Sequence, residues 1–192
     1  MGRVIIGAVP AALAMFLIGF LFFATPLAGL VSGELDNAAA ADVQQVLARN
    51  MPRTGTYFVP GGSTPEQTVM YGQGPIATVH YTLGGYPVAD ATAIAKGLVL
   101  DFVVALLIGA ALLGIYQRVP DFGSRARAVA LVAMAASAYT NLGAPIWYHQ
   151  GWAFHVYAFV ADALALIAAG LVLARWFLPS TRAAPADAPV DV

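Results

Sequence analysis

The sequence contains no cysteine. Disulfides, thiolate metal sites, thioether-linked haem, a lipidated cysteine anchor and thiol redox chemistry are therefore excluded. Charge is also scarce. Only 10% of the 192 residues are Asp, Glu, Lys or Arg, against about 25% in soluble domains, which places the chain in the membrane class. A formal net charge of −1 with scattered basic residues leaves no footprint for nucleic acid. Histidines number three. His149 and His155 are separated by a turn and the start of a helix, and zinc would want more ligands. Only His155 falls inside an apolar run, so a haem held by two histidines is excluded. Gly72-Gln73-Gly74 leads into proline and an extended stretch rather than a helix, so it is no phosphate loop. No cofactor is expected.

What the chain has in abundance is long apolar runs. A hydrocarbon core of about 30 Å needs about 20 apolar residues of helix. Four runs meet that length, with spans expected at about 4–25, 92–117, 128–147 and 152–175. The run from Thr92 to Arg118 organises the rest, because it carries one carboxylate, Asp101, well inside it. An intramembrane carboxylate is costly and seldom faces lipid, so the other helices are expected to shield it. The first run is longer than the 7–15 residues of a signal-peptide core, which favours an uncleaved span over cleavage near Ala28.

Residues 30–91 form the one sizeable polar segment and are expected to fold as a small α+β cap. Asp36 is a suitable N-cap for an amphipathic helix with Ala39, Ala40, Val43, Val46 and Leu47 on one face. Met51-Pro52 ends it. Short extended stretches are expected at Thr56–Val59, Thr68–Tyr71 and Ile76–Leu83, the last alternating cleanly, with His80 on the exposed face. Val119–Arg127 reads as a polar hinge, WYHQGW (147–152) as an interfacial aromatic turn, and residues 179–192 as a disordered tail. The fold expected is thus an all-α membrane protein, a four-helix bundle with this cap between spans 1 and 2, in a single domain over residues 1–178.

Arginine and lysine positions set the orientation. With the N-terminus inside, Arg3, Arg118, Arg125, Arg127, Arg175 and Arg182 are cytoplasmic, whereas Arg49, Arg53 and Lys96 lie on the other side. The expected location is a bacterial inner membrane with both termini inside and the cap in the periplasm.

Depth counting brings five polar groups to one level. Asp101 lies nine residues below Thr92, Asp162 ten below Trp152 and Asn141 six below Trp147, with His155 and Lys96 nearer the surface. These form the candidate ligand or proton site. They could equally be structural, with the two carboxylates sharing a proton or bonding to Asn141, Tyr139 or Tyr157. His155 and Asp162, seven apart, share a helix face. Gly109 and Gly114 with Ala110 and Ala111 form a small-residue stripe of the helix-packing kind.

Two stretches carry a resemblance: MPRTGTYFVPG followed by YGQGPIATVHYTLGG, and IWYHQGWAFHVYAFVADALALIAAGLVLA. Over roughly residues 50–175 the chain is similar to a group of bacterial four-span membrane proteins with the same order of elements, a resemblance that implies no activity or cofactor. Its topology also resembles the claudin-type tetraspan architecture, without that family's loop tryptophan and paired cysteines. The favoured expectation is a non-enzymatic accessory, scaffold or envelope-interaction component. The rival is a small transporter or an ion- or lipid-binding protein using the five polar groups, and a membrane enzyme ranks third. Expected partners are membrane lipids and, through the cap, another membrane or periplasmic protein.

Overall fold

The computed structural model describes residues 1–178, so the tail expected at 179–192, with Arg182, lies outside the described residues. Four helices are long and apolar enough to cross a membrane: α1 (Gly2–Phe23), α4 (Ala91–Ile115), α5 (Phe122–Tyr148) and α6, whose regular part is Trp152–Val172. Between α1 and α4 come α2 (Asn37–Asn50), β1 (Gly55–Val59), α3 (Pro65–Gln73) and β2 (Ala77–Tyr81).

The long helices form a curled row, α4–α1–α6–α5, in which each packs on its neighbour while α4 and α5 hardly touch. Burial follows this order. A third (33%) of the most apolar window is buried in each inner helix, α1 and α6, against 17% in α4 and 22% in α5. Small residues make the close junctions possible. A Cβ added at Gly109 would collide with Val4, one at Gly170 with Val129, and one at Gly7 with Phe177. Val4, Ala8, Ala11, Ala12 and Met15 of α1 are buried against these neighbours. The last turn of α6 widens to a π-turn over Leu173–Phe177, which fully buries Leu173 and brings Phe177 over Gly7.

Several expectations change here. Gly114 has open space around it, so the expected small-residue stripe reduces to Gly109. The third span begins at Phe122, six residues before Ala128, because Asp121 caps it by accepting from the Ser124 amide at 2.8 Å. Most of the expected hinge is therefore helix, and the true link is the short stretch after Ile115. Arg125, read as a hinge charge, is 4% exposed. Its Nε donates to Val119 O at 2.7 Å and its Nη2 to Tyr116 O at 3.2 Å, so a cation sits on the free carbonyls at the end of α4.

In the cap, Thr68–Tyr71 is helical rather than extended. Thr64 accepts from the Gln67 amide at 3.2 Å, Pro65 stands at the first helical position, and Gly74 (φ 66°) ends the helix. The sheet is a two-stranded antiparallel pair with Tyr57 opposite Val79 and Thr56 opposite His80. His80 is exposed, its Nδ1 3.0 Å from Thr56 Oγ1. Thr78 and Val79, on opposite faces, are both half-buried, so the alternation separates the faces less sharply than expected. The α2 helix forms where expected, capped by Asp36 accepting from Ala39 at 2.9 Å, but none of its residues is buried. The cap meets the bundle at the α5–α6 turn, where Phe58 stacks on Tyr148 (5.6 Å) and Tyr71 meets His149 edge-on (6.4 Å).

Candidate functional site

Because α4 and α5 do not close on each other, a groove of about 1600 Å³ enters the bundle from the cap end. Its mouth is Tyr86–Asp90, and its walls come from all four long helices. Three of the five sequence-predicted residues line it: Lys96 and Asp101 from α4, and Asp162 from α6. Asp101 is half-buried and turned into the groove, so it is shielded only in part.

Asn141 stands behind the groove wall and orients Asp162. Its Nδ2 donates to Asp162 Oδ2 at 2.9 Å and to Ser137 O at 3.1 Å. Ser137 is 2% exposed, and its hydroxyl crosses to α6 by donating to Phe159 O at 2.8 Å. A polar seam thus joins α5 to α6 behind the groove wall. Such bonds between membrane helices are worth about 0.6–2 kcal/mol each, enough to fix register.

His155 takes no part in the groove. Its Nε2 lies 2.7 Å from Gln150 Oε1, so it braces the α5–α6 turn. The face it shares with Asp162 serves two separate contacts. Tyr139 is 90% exposed and Tyr157 donates to Phe22 O at 2.6 Å, so of the structural partners considered for the carboxylates only Asn141 is engaged. Four polar groove residues are absent from the sequence-predicted set: Tyr86, Asp90, Ser137 and Thr140. Ser137 could have been found, since it precedes Asn141 by one helical turn and must share its face.

The donors and acceptors are unevenly spent. Thr140 Oγ1 donates to Ala136 O at 2.9 Å, as Ser137 donates to Phe159 O. Asp90, at the mouth, accepts from the Thr92 amide at 2.8 Å and so caps α4. Asp101 has no hydrogen-bond partner among the described residues. Among those residues no group of three or more His, Cys, Asp or Glu is placed to hold a metal ion. Further from the cap the groove meets a purely apolar crevice of about 250 Å³ between α4 and α5, sharing Ala136 and Leu166 with it. Compared with protein-family models, curated proteins and solved structures, the chain matches none.

Proposed function

We propose that this is a multi-pass inner-membrane protein that binds an amphiphile from the bilayer in the groove between α4 and α5. One observation carries this: the bundle leaves a groove, entered from the cap end, that holds Asp101 and Asp162 among mainly apolar walls and continues into an apolar crevice. A polar head and an apolar chain would each find matching walls. Binding is favoured over catalysis because the hydroxyls of Ser137 and Thr140 are both spent on backbone carbonyls, and neither is free as a nucleophile.

The N-in, C-in orientation has support from the inner-membrane rule for basic residues. Arg3, Arg118, Arg125, Arg127 and Arg175 all stand at the end away from the cap. Retention of α1 has support from its place inside the row, where it packs on both α4 and α6. A cysteine at Ser63 should label from outside intact cells, and labelling only after lysis would reverse the topology.

The test of binding is native mass spectrometry of protein extracted in mild detergent. Bound lipid should accompany the wild type and be lost from Ala133→Phe, which fills the crevice. Equal lipid retention by a folded Ala133→Phe protein would dismiss the groove as the binding site. A second reading, an envelope-interaction role for the cap, is favoured by α2, whose Val43 and Val46 are 46% and 54% exposed. Crosslinking in cells should then join Val46 to another protein and not to lipid.

A further inference from the structure

We infer that the groove selects an amphiphile whose head is a protonated amine, seated between Asp101 and Asp162, with a single chain lying in the α4–α5 crevice. This rests on the amphiphile-binding reading above and adds the chemical class of the ligand.

The head follows from the donor–acceptor account. At the level of Asp101 and Asp162 the lining polar side chains are two carboxylates and the hydroxyls of Ser137 and Thr140. Both hydroxyl hydrogens are committed to backbone carbonyls, and the Asn141 amide already donates to Asp162 and Ser137. What remains is acceptor capacity with negative charge. An ammonium group offers three donors and a positive charge; a phosphate or carboxylate head would bring further acceptors and like charge. Lys96 is the one cation lining the groove among the described residues. It is exposed and sits five residues nearer the mouth, about 7.5 Å along the helix. It leaves the deep level acidic and would repel a cation only in passing.

The chain follows from what lies below. From Asp101 the groove runs past Val104 to Ala136 and Leu166, which it shares with the crevice. From Ile108 to Ile115, seven residues of α4 or about 10.5 Å, the crevice is lined only by apolar residues such as Ile108, Leu112, Val132 and Leu166. A head held at Asp101 therefore places its chain beside apolar walls to the far end of α4. An unpaired carboxylate in hydrocarbon is costly, and the ammonium offsets that cost.

The experiment is photolabelling of the full chain in phosphatidylcholine nanodiscs. The probes are dodecylamine and dodecanol bearing a chain diazirine, with competition by unlabelled dodecylamine, dodecanol and dodecyl phosphate. Crosslinks mapped by mass spectrometry should fall on Ile108 and Val132. Dodecylamine should compete at a concentration about tenfold lower than the other two, as expected for one added charge-assisted contact. Asp101→Asn, with unchanged circular dichroism and elution, should bring the three competitors towards parity. Parity in the wild type, or a preference for amine that survives in both Asp101→Asn and Asp162→Asn, would overturn the head assignment while leaving the groove in place. No crevice labelling by either probe would instead remove the groove reading itself.

Discussion

Two faces of the bundle are made of similar residues and behave differently. Where α1 meets α4 and α6, and where α5 meets α6, each glycine receives a larger side chain: Gly109 takes Val4, Gly7 takes Phe177, Gly170 takes Val129. Across the α4–α5 crevice small residues are also present, Ala111 on one side and Ala128, Ala133 and Ala136 on the other, set among larger ones such as Ile108, Leu112 and Val132. There no hollow meets a knob, and the helices stay apart. In lipid the apolar surface of a helix gains nothing from leaving water, so association depends on close packing and polar bonds. Small residues permit a close approach; a matched knob, or a bond such as Asn141 to Asp162, makes it favourable.

The largest effects should come from spoiling that match. Gly109→Leu and Gly170→Leu force a side chain into space already filled, and overpacking of this kind costs about 1–3 kcal/mol or more. Both variants should lose the cooperative detergent melt or yield aggregated protein. Ala111→Leu, in the open crevice, should melt within a degree or two of wild type. If Ala111→Leu were as damaging as Gly109→Leu, the crevice would be closed in the working protein and the comparison would collapse.

A smaller contrast lies inside the groove. Asp162→Ala removes the acceptor of Asn141 and should destabilise by about 0.6–2 kcal/mol. Asp162→Asn, which keeps the shape and an acceptor oxygen, should recover most of that. Asp101→Asn should leave the melting temperature unchanged, since no bond is lost. Melting of all three side by side separates the strut from the free carboxylate. Equal losses for Asp101→Asn and Asp162→Ala would show that Asp101 also holds the bundle together.

Much of this arrangement was legible in the residues, for identifiable reasons. Span length and hydropathy are properties of one helix at a time, so α1, α4 and α6 were found within a few residues. Position along a helix is also a one-helix property, and counting from the helix ends is what singles out Asp101 and Asp162, both of which line the groove. Which helix faces which is a property of pairs. Nothing in α4 or α5 alone says that they stay apart, so the groove was not foreseen, nor that His155 would turn to Gln150. The start of α5 is hard to read because Arg125 looks like a polar hinge residue, whereas the carbonyls of Tyr116 and Val119, just past the end of α4, satisfy it. The α3 helix is hard to read because Thr-Val-Met-Tyr suits a strand; the stronger signal is Thr64-Pro65-Glu66 just before it.

The cap sharpens the comparison from another side, since it touches the bundle through few groups. Phe58→Ala removes the stacking on Tyr148, a contact worth about 0.5–1.5 kcal/mol beyond the area it buries. Protease cleavage in the cap should accelerate several-fold, while the melting of the bundle should not move. A coupled fall in both would mean that cap and bundle unfold as one unit.

The smallest expected effect concerns the α4–α5 link, the place where the two non-touching helices are tied. Asp121 caps α5, and the Ser124 amide, with help from the Ser124 hydroxyl, holds its carboxyl below the usual carboxylate range. A carboxyl whose pKa is lower in the folded chain binds fewer protons there than in the unfolded one. Its contribution is complete above the unfolded value, about 3.9 for an ordinary aspartate, and is lost as pH falls through the lower folded value. Asparagine also caps helices but does not titrate. Wild type should therefore melt slightly above Asp121→Asn at pH 7, because the charge adds to the N-terminal dipole interaction. That margin should shrink as pH is lowered past about 4, where the cap carboxylate takes up its proton. Differencing the two proteins at each pH cancels every carboxylate they share, so the remaining slope belongs to Asp121. A margin that stayed constant down to pH 2, or widened, would show that the Asp121 charge does not secure the start of α5.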